Sequence, residues 1–280
     1  MKRYQDLRFT DDFMFCKVMS ANPNLCRKIL TLILGRKVKK VVMHGTQQTI
    51  DLTAAAKGIR MDVYMDDVEG TVYDLEMQST QKPYLPKRLR YYQSMLDLNH
   101  LEKGADYGEL PHTVILFVCT FDYFKKRLPV YTFENRCVEL PELGMGDACE
   151  KIFVNPDSDR EGLSEDFCAF LDYLHGRVTE NGLVRELEEE VEKARAHKEW
   201  EVEYMTWKAY EMDARREGRI EGRREGRIEG RAEGIIRSGR RHRLSDEVIV
   251  EDIAAETGCE IAQAQKILQD FDKKQATELV

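Results

Sequence analysis

The chain has 280 residues, 42% of them hydrophobic and 34% charged, and a formal net charge of −8. That length and balance allow one sizeable core with appendages and exclude a fibrous protein. The longest apolar runs, such as residues 114–119, are far too short to cross a bilayer, and no apolar signal region follows Lys2 and Arg3, so a cytoplasmic protein with no membrane partner is expected. The seven cysteines, at 16, 26, 119, 137, 149, 168 and 259, are scattered and form no CxxC pair. They signal neither a zinc site nor a disulfide framework, and buried thiols are expected.

In chain order, Phe13, Phe15, Val18 and Met19, then Leu25, Ile29 and Leu30, predict two short helices broken near Asn22-Pro23-Asn24, the second ending at Gly35. Asp11 and Asp12 open the first of them, where carboxylates complement the helix dipole. Residues 38–42 read as a first strand, flanked by Arg36, Lys37, Lys39 and Lys40 as a solvated edge. Residues 60–78 then read as a hairpin about Gly70. Met61, Val63 and Met65 alternate with Asp62, Tyr64 and Asp66, and Tyr73, Leu75 and Met77 alternate with Asp74, Glu76 and Gln78, giving one apolar and one acidic face. If the strands pair, Asp62, Glu76 and Gln78 project to the same side. Two carboxylates and an amide suit Mg2+, which takes hard oxygen ligands and keeps several waters. Equally, an acidic outer face on an antiparallel hairpin ordinarily just meets water.

Pro83 and Pro86 mark a loop before a helix over residues 87–101. Arg88, Arg90, Tyr91 and Tyr92 at its front suit a phosphate backbone; the other reading packs Tyr91 or Tyr92 in the core and solvates the arginines. The unbroken apolar run 113–120 fits a central strand covered on both faces. Weaker strands follow at 131–133 and 151–154, then a helix at 164–175 and a long acidic helix over 183–213 carrying Trp200, Tyr204 and Trp207. Residues 217–234 repeat Glu-Gly-Arg every four residues. On a helix this gives a slowly drifting glycine stripe that admits a second helix, but five glycines also favour a flexible tether. Residues 215–243 hold eleven arginines against five glutamates, so this basic island either touches nucleic acid or docks on acidic helices of its own chain. Two helices joined at Gly258 close the sequence, as a faint helix-turn-helix or an oligomerisation module.

Asp62, followed after a turn by Glu76-Met77-Gln78, resembles the motif of the PD-(D/E)XK nuclease superfamily with Gln in its last position. More closely, Phe9-Thr10-Asp11-Asp12-Phe13-Met14-Phe15-Cys16-Lys17-Val18, Arg60-Met61-Asp62-Val63, Leu75-Glu76-Met77-Gln78 and Arg88-Leu89-Arg90-Tyr91-Tyr92, in that order, resemble the recombination-promoting nuclease (Rpn) family of nuclease-type transposases. The resemblance implies an α/β fold, a restriction-endonuclease-like mixed sheet flanked by helices with a helical C-terminal extension. The expected divisions are a nuclease-like domain over 1–160, a helical extension over 161–214, the repeat as linker or association helix over 215–243, and a small helical segment over 244–280.

The function so implied is a metal-dependent DNA endonuclease of recombination or mobile-element DNA handling. Asp62 and Glu76 would hold Mg2+, with Mn2+ as substitute, and Gln78 would orient a water or ligand. Arg88, Arg90, Tyr91 and Tyr92 would face DNA, and a second copy of the chain would associate through the C-terminal helices. A lysine usually stands where this chain has Gln78, so Gln78→Lys is expected to retain or raise activity, with Lys82 or Lys87 supplying the charge meanwhile. In the wider superfamily the first helix often adds an acidic residue, which leaves Asp11 and Asp12 open. The competing reading is a catalytically inactive scaffold that oligomerises through its tail; a full strand-transfer transposase fits less well in so short a chain.

Overall fold

In the computed structural model, which describes residues 2–46, 49–50 and 59–278, the chain forms two compact units, Met1–Tyr204 and Met205–Val280. The first unit opens with α1 (Asp12–Ala21) and α2 (Pro23–Leu34). Asn22 separates them because Pro23, lacking an N–H, is suited to a first helical turn and not to a helix interior. Gly35 ends α2 at φ +63°, its N–H bonding to the Thr31 carbonyl.

Strands β1 (Val41–Thr46), β2 (Thr49–Ile50), β3 (Ile59–Arg60), β4 (Val63–Asp67), β5 (Val72–Gln78), β6 (Thr113–Cys119), β7 (Val130–Phe133) and β8 (Cys149–Val154) follow. Among the described residues, six of them make one mixed sheet in the order β1-β4-β5-β6-β8-β7, while β2 and β3 pair by themselves. The β4–β5 hairpin is closed by Asp67, whose carboxylate accepts from the Glu69 and Thr71 N–H groups and the Tyr73 hydroxyl. Gly70 takes φ +83° there, a conformation costly to a residue with a Cβ. Because β5 and β6 are parallel, the chain must cross over between them, and α3 (Leu85–His100) makes that crossing.

Leu85, Leu89, Tyr92, Met95 and Leu96 recur at helical spacing and bury one side of α3 on Tyr64, Val72, Ile115 and Phe117. The opposite sheet face carries Val63, Met65, Tyr73 and Leu75, all buried, and there Cys26 of α2 meets Met65. The restriction-endonuclease-like α/β fold implied by the sequence is therefore the fold found. The acidic face of the hairpin is not an outer face, however. It is the face that α3 covers.

Helices α4 (Glu165–Leu174) and α5 (Gly182–Ala196) complete the body, and α6 (Lys198–Arg241) begins in it. The single long helix expected from 183 is broken at His197, which turns extended at ψ 104°. Its N–H caps α5 at the Ala194 carbonyl while its own carbonyl accepts from Glu201. Tyr204 packs its ring on Tyr4 and Phe13, and Lys17 pairs with Glu203. Cys16, Cys26, Cys119 and Cys149 are buried, and Cys137, Cys168 and Cys259 half-buried, all as free thiols. Among the described residues no helix is long and apolar enough to cross a membrane.

In the second unit the Glu-Gly-Arg repeat is helical within α6, and α7 (Asp246–Thr257) and α8 (Ile261–Glu278) pack with its end. Ala232, Ile236, Ile249, Ile253, Ala264 and Leu268 form the small core. Arg231 pairs with Glu256, and Arg240 bridges Asp246 and Asp272, so part of the basic island docks on acidic groups of its own chain. The glycines differ in what they do. A Cβ on Gly239 would stand 2.6 Å from Ile249 Cγ1, whereas Gly226 faces open space. Gly226→Ala is expected to stabilise this unit through helix propensity, by up to about 1 kcal/mol, and so to raise its thermal midpoint. Gly239→Ala is expected to lower it, because overpacking a stiff β-branched neighbour costs ~1–3 kcal/mol. Far-UV circular dichroism melts of the two variants read the opposite signs.

Candidate active site

The register Val63↔Leu75 brings Asp62, at the entrance to β4, opposite Glu76 in β5. The two acids hold one another's backbones: the Asp62 N–H donates to Glu76 Oε1 at 3.1 Å, and the Met77 N–H donates to Asp62 Oδ2 at 3.1 Å. Strand alternation then sets Asp74, Glu76 and Gln78 on one face. Glu76 and Gln78 are buried, 1% and 4% exposed. Asp74, one step deeper, is wholly buried, and among the described residues neither carboxylate oxygen has a hydrogen-bond partner.

Arg88 enters this cluster from α3. It lies in the buried stripe of the helix, one turn from Leu85 and one from Tyr92. Its Nη1 donates to Gln78 Oε1 at 3.0 Å and its Nη2 to Glu76 Oε2. The guanidinium carbon lies 4.9 Å from the Tyr92 ring centre and 5.4 Å from that of Phe117, a cation–π arrangement that holds its plane. The other end of the Gln78 amide donates to the Thr80 carbonyl at 3.3 Å.

Burial sets the electrostatics. Burial first, and the charge of Asp12 second, push the Asp62 carboxyl up to about 6, against the pull of the Met77 N–H and Arg88. Glu76 and Asp74 stand well above the ordinary carboxylate range, by burial and then by the charge of Asp62, with Arg88 opposing in both. Asp12 keeps solvent access, yet the atoms crowding its carboxylate raise its pKa against the pull of Lys82. Without a cation such a cluster retains protons, and a divalent cation is the species that would displace them.

The donor set fits a hard divalent ion: the carboxylate oxygens of Asp62 and Glu76, with the buried Asp74 beneath. Among the described residues no group of three or more His, Cys, Asp or Glu side chains is disposed to cage a metal. Two carboxylates of this kind would leave coordination positions to water and a substrate phosphate.

The expected residues separate in the structure. Asp62, Glu76, Gln78 and Arg88 come together. Arg90 and Tyr91 are exposed on α3. Tyr92 is corrected from a DNA-facing residue to a core residue: it is 8% exposed and its hydroxyl donates to the Arg60 carbonyl at 3.4 Å. Lys87 lies over the Tyr84 ring, and Lys82 is felt at Asp12. Of the two N-terminal acids, Asp11 is engaged by Lys2 and by the Arg8 N–H, whereas Asp12 is the one whose charge reaches Asp62. Sequence reasoning left Asp12 and Asp74 out of the site. Asp74 did carry a signal, since it shares the period-two face of Glu76 and Gln78.

Fold and site together define a nuclease-like α/β domain with its acidic centre at the C-terminal end of β5. Residues 9–138 match the family described as PD-(D/E)XK nuclease family transposase. The segment contains each of Asp12, Asp62, Asp74, Glu76, Gln78 and Arg88. Comparison with curated proteins gives no match, nor does comparison with solved structures. Nucleases of the PD-(D/E)XK kind generally use divalent metal ions and act on DNA.

Proposed function

We propose that this chain is a Mg2+-dependent DNA endonuclease, with Mn2+ able to substitute, that hydrolyses phosphodiester bonds in recombination or mobile-element DNA handling. The observation that carries the reading is the Asp62–Glu76 pair, clasped backbone to side chain and faced by Arg88. Asp62 and Glu76 would hold the ion. A divalent ion bound there supplies Lewis-acid polarisation of the phosphate and a more acidic water. The protein contributes the rest: the β4–β5 register fixes the two carboxylates, α3 covers their inner side against water, and Arg90 and Tyr91, exposed on α3, face an incoming backbone.

The test is nicking of supercoiled plasmid by the purified chain in Mg2+, in Mn2+ and in chelator. Relaxation that chelator abolishes is the expected result, and intact plasmid with both metals overturns the reading in favour of an inactive nuclease-like scaffold.

Association of two copies through the C-terminal helices belongs to the same proposal. Among the described residues, and apart from the helix's own adjoining backbone, Gly218, Gly222, Gly226, Gly230 and Gly234 have no neighbour within 4 Å of an added Cβ, so the stripe has room for a second helix. Ending the chain after Asp213 should convert an oligomer to a monomer in sedimentation and reduce double-strand cleavage more than nicking. An unchanged association state would remove the tail from the proposal.

A further inference from the structure

We infer that Arg88 is a catalytic residue, the cation that meets the reacting phosphate, and that Gln78 is the positioning residue that holds its guanidinium in place. The inference rests on the nuclease reading of the same site and assigns a task that reading leaves without an owner. A phosphodiester approaching Asp62, Glu76 and Asp12 comes up to a concentration of negative charge. Something in the cluster must answer that charge, and no lysine stands on the motif strand beside Glu76.

The geometry places Arg88 there. Its side chain keeps 31% of its exposure whereas that of Glu76 keeps 1%, so the guanidinium is the solvent-facing member of the pair. Nη1 donates to Gln78 and Nη2 to Glu76, the Tyr92 hydroxyl also bonds the guanidinium, and a guanidinium carries five N–H donors in a planar fork that matches phosphate oxygens. Tyr92 and Phe117 hold the fork's plane from the helix and the sheet. Lys87 packs on Tyr84, and Lys82 bears on Asp12. No hydrogen bond from either to Glu76 or Gln78 occurs among the described residues.

Gln78 makes sense in these terms. Its Nε2 is held by the Thr80 carbonyl, which turns Oε1 toward Arg88 Nη1. A lysine at 78 would put an ammonium where that oxygen accepts from the guanidinium, two like charges in a buried position. Gln78→Lys is therefore expected to lower activity, opposite to the expectation drawn from the motif alone. Moving the cation instead of doubling it should be tolerated: in Gln78→Lys/Arg88→Gln, the strand residue carries the charge and the helix residue the amide.

The experiment uses the full chain as wild type, Arg88→Gln, Arg88→Lys, Gln78→Lys and the double variant, with folding checked by circular dichroism. Nicking in Mg2+ is one readout. The other is binding of a short duplex at fixed Ca2+ across a NaCl series. Arg88→Gln should slow nicking by about 10²–10³-fold, the usual cost of one donor aimed at developing charge. It should also flatten the slope of log affinity against log salt by about 0.9, one phosphate contact. Arg88→Lys should fall between, and the double variant should nick at least ~10-fold faster than Arg88→Gln, a rescue that no purely structural role of the pair provides.

Wild-type nicking in a folded Arg88→Gln, with an unchanged salt slope, overturns the inference and leaves the nuclease reading standing. If the wild type itself does not nick, that reading fails and the salt slope alone decides on Arg88, an unchanged slope rejecting it. If Arg88→Gln does not fold, Arg88→Lys and the double variant decide: wild-type activity in the first with none in the second rejects the role given to Gln78.

Discussion

Glu76→Gln and Asp62→Asn are each expected to reduce metal-dependent nicking by about 10³-fold or more while leaving the fold in place. The magnitude follows from the several kcal/mol of transition-state charge stabilisation that a bound metal ion provides, at 1.36 kcal/mol for each factor of ten. The amides are chosen because the acids also serve the backbone. Glu76 Oε1 accepts the Asp62 N–H and Asp62 Oδ2 accepts the Met77 N–H, and an amide oxygen can keep each bond where alanine would orphan it. A second signature separates loss of metal from loss of structure. An ion that binds only the folded chain raises its melting temperature, so Mg2+ should stabilise the wild type and neither variant. A folded Glu76→Gln with wild-type nicking removes Glu76 from the site, and an unchanged Mg2+ stabilisation in both variants removes the metal from this pair.

The period-two pattern about Gly70 placed Asp62, Glu76 and Gln78 on one face, and the pairing Val63↔Leu75 is the register that does so. The run 113–120 became β6, central and buried on both sides. What alternation does not encode is the element that covers each face. Both faces of the hairpin are covered, and the acidic one lies under α3 because Leu85, Leu89 and Tyr92 are apolar at helical spacing, a fact of another segment. The same limit hid Arg88. Its partners, ten and twelve residues earlier in the chain, are reached only because β5 and α3 pack on each other. Asp12 stayed hidden for a different reason: an acid at a helix start is explained by the helix dipole alone, and only the tertiary meeting of α1 with β4 brings its charge to Asp62. The break at His197 has no glycine or proline to mark it in a sequence that reads as one continuous helix.

Asp74→Asn should stabilise the metal-free protein above neutral pH and leave it unchanged in acid. Asp74 is enclosed, with both oxygens unpartnered among the described residues, and its pKa stands well above the ordinary 3.8, from burial first and the charge of Asp62 second. The folded chain therefore holds a proton that the unfolded chain releases above pH 3.8. Stability contributed by such a group is complete below that pH and is lost as the pH rises toward the folded pKa. Asp62 adds a loss of the same sign between 3.8 and about 6.

An asparagine is close in shape to a protonated aspartic acid, so at pH 4 the variant and the wild type should melt together. At pH 8, in chelator, the variant avoids an unpartnered buried charge or the proton uptake that prevents it, worth ~1–3 kcal/mol, or roughly 2–10 °C in a unit of this size. Mg2+ should narrow the gap by stabilising the ionised cluster of the wild type. Melting curves of both proteins at pH 4, 6 and 8, with chelator and with Mg2+, test the assignment: parallel pH dependence of the two proteins in chelator would mean that Asp74 is ionised and satisfied in the folded chain.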